Sequence, residues 1–378
     1  VVLLTTNITV PAFDLHEQYR LLEPEVMQAV GDVLRSGHYI MGPQVEAFER
    51  EMEAFTGVKH AIGVANGSDA LLLALMAVDV GPGDEVIVPA FTFFATAGAV
   101  ARLGAKPVFA DIDLDTFNIA ADQLGALITS KTKAIIPVHL FGQMADMDPI
   151  MSIARNHNLT VIEDSAQAIG AEYRGCGSCT IGDMGCLSFY PTKNLAACGD
   201  AGMLLTNNDA LADKLRVLRV HGAKKKYYHS ILGFNSRLDE IQAAILRIKL
   251  RYLPQWIKAR QEIAHWYDLG LERLNAERKI VVPKRINDGT HVFHQYTLRI
   301  DTRDALKQYL HENGIGSTVY YPRALHQQEV FQNYGSSMVS LPNAEKATQC
   351  VLSLPIFPEL TEGLVDYVID KINVFCGK

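Results

Sequence analysis

A chain of 378 residues with 48% apolar and only 20% charged side chains can bury a large core and has length for two domains. Its net charge of −7, with lysines and arginines scattered outside the stretch AKKKYYH at 223–229, argues against nucleic acid as a partner. No run approaches the roughly 18 apolar residues of a membrane span, and the opening VVLLTTNITV lacks a basic start and a cleavage site, so the expectation is a cytoplasmic protein with no membrane partner.

Short runs rich in Val, Ile and Ala predict strands at 60–66, 85–90, 106–112, 134–140, 160–165, 184–190 and 201–207. Most are apolar continuously rather than alternately, as strands buried on both faces are. Helical patterns lie between several of them, DALLLALMAV after Ser68 and MDPIMSIARNHN after Ala145. This alternation predicts an α/β fold, a mainly parallel sheet with helices on both faces. Beyond 208 the pattern turns to long helices: in RLDEIQAAILRIKLRYLP, Leu238, Ile241, Ile245 and Ile248 share one face and Pro254 closes the run. HVFHQYTLRI (291–300), RDALKQYLHENGI (303–315) and STVYYP (317–322) then read as a second, smaller α+β domain. The expected division is an N-terminal segment 1–30 packing with the small domain, a large domain 31–265 and the small domain 266–378.

The residues with chemical potential fall at the ends of these strands. Asn66-Gly67-Ser68 opens the first helix, where free N–H groups, a glycine permitting close approach and a hydroxyl suit a phosphate, although Ser68 could equally be a plain cap. Phe93 follows the second strand and offers a flat face, or is a core residue. Glu163-Asp164 closes the fifth strand, and open parallel sheets bind ligands beyond their carboxyl ends. A carboxylate there is either an ordinary turn residue or the partner that keeps the ring nitrogen of pyridoxal 5′-phosphate (PLP) protonated, with Gln167 near the same ring. Cys176-Gly-Ser-Cys179 has no second C-x-x-C and no H-x₃₋₅-H, so it reads as structural, and no metal is expected. Ser188 is a second possible phosphate ligand. Lys193, one lysine in the uncharged run SFYPTKNLAAC, is either a solvated loop residue or a Schiff-base lysine whose amine desolvation makes nucleophilic.

Phosphate turn, aromatic, carboxylate and lysine follow one another in that order, and with it the chain resembles the DegT/DnrJ family of PLP-dependent sugar aminotransferases. The likeness runs over almost the whole sequence, in FDLHEQY, SGHYIMGPQVEAFE, ANGSDALLLAL, GPGDEVIVPAFTFFAT, VIEDSAQAIGAEYRG, GDMGCLSFYPTKNL, GDAGMLLTNN and GFNSRLDEIQAAILRIKL among others. It implies fold type I of the PLP enzymes, aspartate aminotransferase-like, with a mainly parallel seven-stranded sheet in the large domain and a homodimer sharing its active sites. By the same resemblance Lys193 is the Schiff-base lysine, Asp164 the pyridinium partner, Gln167 the neighbour of the ring hydroxyl and Phe93 the stacking residue. Gly67, Ser68 and Ser188 match phosphate ligands, and Asn235 matches the one that reaches over from the partner subunit. The sequence departs from the family at NLAACGDAG, where a glycine usually follows the leucine, and at Ser68, where threonine is usual.

The resemblance further implies transfer of an amino group from L-glutamate to a nucleotide-linked keto sugar in amino sugar biosynthesis. Members similar in GFNSRLDEIQAAILRIKL tend to aminate C-3, whereas C-4 enzymes more often carry tyrosine at the place of Ser236, which favours a dTDP- or UDP-linked 3-keto hexose. Arg237, Tyr320 and His326 are candidate sugar contacts, and Lys224, Lys225 and Lys226 could face a diphosphate or simply be solvated. The alternatives are a 4-keto sugar or cyclitol aminotransferase and a catalytically silent nucleotide-sugar-binding regulator of the same fold. Family dehydratases carry histidine at the lysine position, which Lys193 disfavours.

Overall fold

The computed structural model describes residues 8–334 and 339–377. The leading residues 1–7 of the apolar N-terminal run lie outside the described residues. All seven apolar runs contain strands: β1 (His60–Val64), β2 (Glu85–Pro89), β3 (Lys106–Ala110), β4 (Thr132–Ile135), β5 (Thr160–Asp164), β6 (Met184–Ser188) and β7 (Gly202–Thr206). They form one sheet in the order β1-β7-β6-β5-β4-β2-β3. Four of its six pairings are parallel, and β7 runs antiparallel to both β1 and β6.

Successive side chains of these strands leave opposite faces of the sheet. Val86, Val88, Ile162 and Leu204 enter one apolar layer with the helix Gly67–Ala77, seven of whose eleven residues are buried. Ile87, Ile135 and Val161 meet Met147 and Ile150 of the helix Met147–His157 on the other side. Further along that face, Ala61, Leu187 and Met203 pack on Phe48, Met52, Leu238 and Leu246. The strands are therefore apolar throughout because both faces are covered.

The long C-terminal helical pattern breaks in two, Glu240–Leu250 and Leu253–Gly270. Pro254 stands in the first turn of the second helix, where a missing N–H breaks no hydrogen bond, so it starts a helix rather than ending one. This second helix runs through position 265 unbroken. Its Ile263, Ala264 and Tyr267 belong to a separate core with β8 (Tyr296–Arg299), β9 (Val351–Leu354), Leu306, Leu310, Val365, Val368 and Ile372. The stretch 317–322, expected as a strand, contributes only a bridge between Thr318 and Ser353. Within the segment 1–30, Val10 joins this second core, while Leu22 and Val26 of the helix His16–Ser36 pack on Ile245, Ile248 and Trp256. Among the described residues no helix is long and apolar enough to cross a membrane.

Candidate active site

The two acids that end β5 point to opposite faces and have different surroundings. Glu163 is fully buried and accepts from the backbone N–H groups of Cys179 (3.0 Å), Ile181 (2.9 Å) and Gly182 (2.7 Å). His139 completes this set at 2.8 Å; its Nδ1 accepts from Ala145 N–H, which leaves Nε2–H to donate to Glu163. Every strong partner of Glu163 is structural. Asp164 faces the other way, with Thr96 Oγ1 donating to its Oδ2 at 2.8 Å and Ala166 N–H to its Oδ1 at 3.3 Å. Burial raises its pKa, opposed by these two hydrogen bonds and by the charge of Lys193.

Lys193 sits in the turn that follows β6, its backbone N–H bonded to Tyr190 O at 2.8 Å. Desolvation pushes its ammonium down to about 8, against the pull of the Asp164 carboxylate. The two groups thus share one buried electrostatic environment although 29 positions separate them, 193 less 164. The next residue, Asn194, is clamped: its Nδ2 donates to Val292 O (3.0 Å), and its Oδ1 receives Nδ1–H of His294 (3.3 Å).

Beyond the carboxyl ends of β1 and β6 lies a tight backbone approach. A Cβ on Gly67 would stand 2.6 Å from Ser188 Cβ, so only glycine lets the helix N-terminus reach the serine. Asn66 is the N-cap, its side chain accepting from Asp69 N–H at 2.8 Å. Ser68 is therefore not the cap; it stands in the first helical turn, where backbone N–H groups have no partner within the helix. Ser236 is fully buried and its Oγ accepts from Ala65 N–H at 3.2 Å, bracing the turn from below. Asn235, exposed beside it, is bridged to Val220.

Gln167 accepts from Phe141 N–H at 2.7 Å and donates through Nε2 to the hydroxyl of Tyr321 at 3.1 Å. Phe93 is 56% exposed, with its ring centroid 6.3 Å from that of Tyr321. Thr96, Tyr321, Asn194 and His294 are the participants that sequence reading passed over. Tyr321 lay next to the residue chosen, Tyr320, and Thr96 offered only its place behind the strand that leads to Phe93.

The candidate sugar contacts part company. Tyr320 is partly buried beside Thr192 and His294. Arg237 is partly buried and makes no ion pair with a described residue, so no salt bridge caps a helix there. His326 is turned away from any such role: it is 2% exposed, its Nε2 lies 3.1 Å from Glu345 Oε1, and its ring packs on Phe109. Leu325 N–H bonds to Ala90 O at 2.7 Å, which pins that turn onto the end of β2 and drives the imidazole into the core. Lys224, Lys225 and Lys226 are exposed on the hairpin Ala223–Lys225/Tyr228–His229. Cys176 and Cys179 are both free thiols; burial raises the Cys179 thiol well above its usual range. Among the described residues no cluster has the makings of a metal site.

A glycine-lined approach at a helix N-terminus, an exposed aromatic ring, a buried acid and a desolvated lysine make a donor set that fits PLP. Known proteins agree. A "Pleiotropic regulatory protein" of Geobacillus stearothermophilus is 54% identical over 97% of this chain and 99% of its own length. The UDP-N-acetyl-3-dehydro-alpha-D-glucosamine 3-aminotransferase of Acidithiobacillus ferrooxidans is 46% identical over 98% and 99%. The crystal structure of Streptomyces venezuelae DesV in complex with a ketimine intermediate superposes with a TM-score of 0.95 at 41% identity, covering 98% of this chain and 99% of that one. PLP is the cofactor of such enzymes. Residues 21–373 match the model of the DegT/DnrJ/EryC1/StrS aminotransferase family, and the chain belongs to it.

Proposed function

We propose that the protein moves the amino group of L-glutamate to the C-3 carbonyl of a dTDP- or UDP-linked keto hexose, as a homodimer with shared active sites. The observation that carries the reading is the buried pairing of Asp164 with Lys193 beside the Gly67–Ser188 approach. PLP, when bound, supplies an electron sink and stores the amino group between the two substrates. Asp164, steadied by Thr96 and Ala166, would hold the proton on the ring nitrogen, and Gln167 would meet the ring hydroxyl. The first-turn N–H groups at Gly67 and Ser68, with the Ser188 hydroxyl, would hold the phosphate, and Phe93 would cover one ring face. Lys193 would hold the cofactor and then carry the proton between carbon and nitrogen, which an amine with a pKa of about 8 does at neutral pH.

The choice of a 3-keto sugar is supported by the name of the Acidithiobacillus relative and by Ser236. Ser236 is buried under Ala65, so it bears on specificity through the backbone of the phosphate turn and not by touching a sugar. Arg237, with no carboxylate partner among the described residues, and Tyr320 are the sugar contacts we favour. The regulatory name of the Geobacillus relative keeps a silent regulator in view, but such a protein has no use for a desolvated lysine beside a buried acid. Incubating the purified protein with PLP, L-glutamate and a panel of nucleotide keto sugars, with products identified by mass spectrometry, tests the reading. Amination at C-4 only, or of none, overturns it.

The lysine gives a pH prediction. In cofactor-free protein, covalent attachment of PLP requires the neutral amine. Its rate is expected to climb about tenfold per pH unit below about 8 and to level off above it, since the folded-state pKa is lowered. A limb that levels only near the ordinary lysine value shows that burial does not tune Lys193.

A shared site makes a second prediction. The arm around Tyr227, Tyr228 and Leu232 is 80%, 67% and 91% exposed, and Leu21, Met27 and Leu34 lie open on the helix His16–Ser36, which together offer apolar surface to a second copy. If Asn235 serves the partner's site, a heterodimer of one Lys193→Ala and one Asn235→Ala subunit places both lesions in one site and none in the other. Doubly tagged heterodimers are expected to recover about half of wild-type activity, more than either parent, because a charge-assisted phosphate hydrogen bond is worth about 1.5 to 3 kcal/mol. No recovery in a confirmed heterodimer assigns Asn235 to its own subunit's site.

A further inference from the structure

The turn that carries Phe93 outward carries two hydroxyls inward. Thr92, in the loop after β2, and Thr96, in the first turn of the helix Ala95–Arg102, are both buried, while Phe93 between them stands open. Thr96 Oγ1 donates to Asp164 Oδ2 at 2.8 Å, and Thr92 Oγ1 lies 3.3 Å from Thr96 Oγ1. A hydroxyl has one proton to give. With Asp164 ionised, that of Thr96 is spent on the carboxylate, so the proton between the two threonines belongs to Thr92. The chain therefore runs one way, from Thr92 to Thr96 to Asp164, and each bond in it polarises the next.

Little else favours the charge of this carboxylate. Its other oxygen receives Ala166 N–H at a long 3.3 Å. Around it, burial keeps Cys179, Cys186 and Tyr321 uncharged, and His139 gives its Nε2 proton to Glu163. Glu163 spends its own charge on the backbone of Cys179, Ile181 and Gly182 at the opposite face. Lys193 is, among the described residues, the cation that acts on Asp164. Attachment of PLP takes that free ammonium away, which leaves the threonines as the main support the protein itself gives to the charge. A buried carboxylate that lost this support would be a stronger base, able to take the proton it is meant to keep on the ring.

We propose that Thr92 and Thr96 form a hydroxyl chain that keeps Asp164 a weak base, so that the proton between acid and PLP ring nitrogen rests on the ring. Thr96 is thereby a positioning residue for that proton, and Thr92 stands behind it. The proposal rests on the PLP site set out above. It accounts for two threonines that turn inward from the otherwise apolar run PAFTFFATAGAV, where alanine or valine would fill the same space without a buried hydroxyl.

Nitrogen NMR of the protein loaded with PLP isotopically labelled at its ring nitrogen tests the chain and needs neither amino donor nor sugar. The wild type is expected to show a protonated ring. Thr96→Val, which nearly keeps the shape and removes the donor, is expected to move the resonance toward the unprotonated position, and Thr96→Ser to restore it. Thr92→Val should move it the same way by less, because its bond is long. Single-turnover rates with L-glutamate and with the keto sugar should fall together in Thr96→Val, about tenfold or more, the scale of a lost hydrogen bond to a charged group. An unmoved resonance in folded Thr96→Val overturns the proposal. Slowing confined to one half-reaction overturns it too, since Thr96 would then be a substrate contact. If Thr96→Val does not fold, Thr92→Val decides, and an unmoved resonance there removes the chain. A shifted resonance in a protein that aminates no keto sugar would refute the function proposed above while upholding the hydroxyl chain.

Discussion

Lys193→Ala is expected to abolish amino transfer, lowering turnover by at least about 10⁴-fold, or about 5 kcal/mol in the barrier. The substitution removes the group that would both tether the cofactor and move the proton, and nothing in the surroundings replaces it. His294 is held neutral but its Nδ1 proton is committed to Asn194, and the Tyr321 hydroxyl accepts from Gln167 with its own pKa raised by burial. The fold should survive, because the turn is fixed by backbone and neighbours: Lys193 N–H on Tyr190 O and the Asn194 clamp are independent of the lysine side chain. Taking a cation out of a buried site also removes a desolvation cost. The phosphate approach at Gly67 and Ser188 is untouched, so PLP should still bind without covalent attachment. Borohydride reduction followed by peptide mass mapping checks both halves: cofactor mass on the Lys193 peptide in the wild type, none in the variant. A variant that keeps measurable turnover with the right sugar ends the assignment of Lys193.

The sheet was legible because its strands are buried on both faces. Val86-Ile87-Val88 sends side chains alternately into two apolar layers, so the run carries no polar position and stands out in the sequence. The reversed direction of β7 left no such trace, since AGMLLTN is equally apolar whichever way it runs. Local chemistry was legible where it depends on one residue in a motif, as with Lys193, Asp164 and Gly67. It was hidden where two distant segments meet. Thr96 and Asp164 are 68 positions apart, Gln167 and Tyr321 154, and Asn194 and His294 100, and no periodicity links them. His326 shows the opposite error. A polar residue in a motif-rich stretch reads as a ligand, yet the hydrogen bond of Leu325 to the end of β2 decides where its ring goes.

Asp164→Asn is expected to separate holding the cofactor from using it. The replacement is isosteric, and its new amide can be accommodated: Asn Oδ1 still accepts from Ala166 N–H, while Thr96 rotates its hydroxyl to accept from Nδ2 and donates to Thr92, 3.3 Å away. A neutral amide also avoids the burial that raises the Asp164 pKa, so thermal stability should not fall. The carboxylate favours the charged form of Lys193, and its removal lets the lysine pKa drop below about 8. Attachment of PLP should then proceed at lower pH than in the wild type, with the whole rising limb of the rate moved to the acid side. Turnover should go the other way. Without a negative partner the ring nitrogen no longer keeps its proton, and both half-reactions lose electrostatic stabilisation of the charge that develops on the cofactor, a loss on the scale of about 3 to 4 kcal/mol or 10² to 10³-fold. The measurement is the pH dependence of PLP attachment alongside single-turnover rates with L-glutamate and with the keto sugar. Attachment that shifts to lower pH while both rates collapse fits an acid that serves the ring and not the fold. Near-normal rates in the Asn variant would show that Asp164 does not govern the ring nitrogen, and an unshifted attachment limb would break the electrostatic link between Asp164 and Lys193 on which the active-site reading stands.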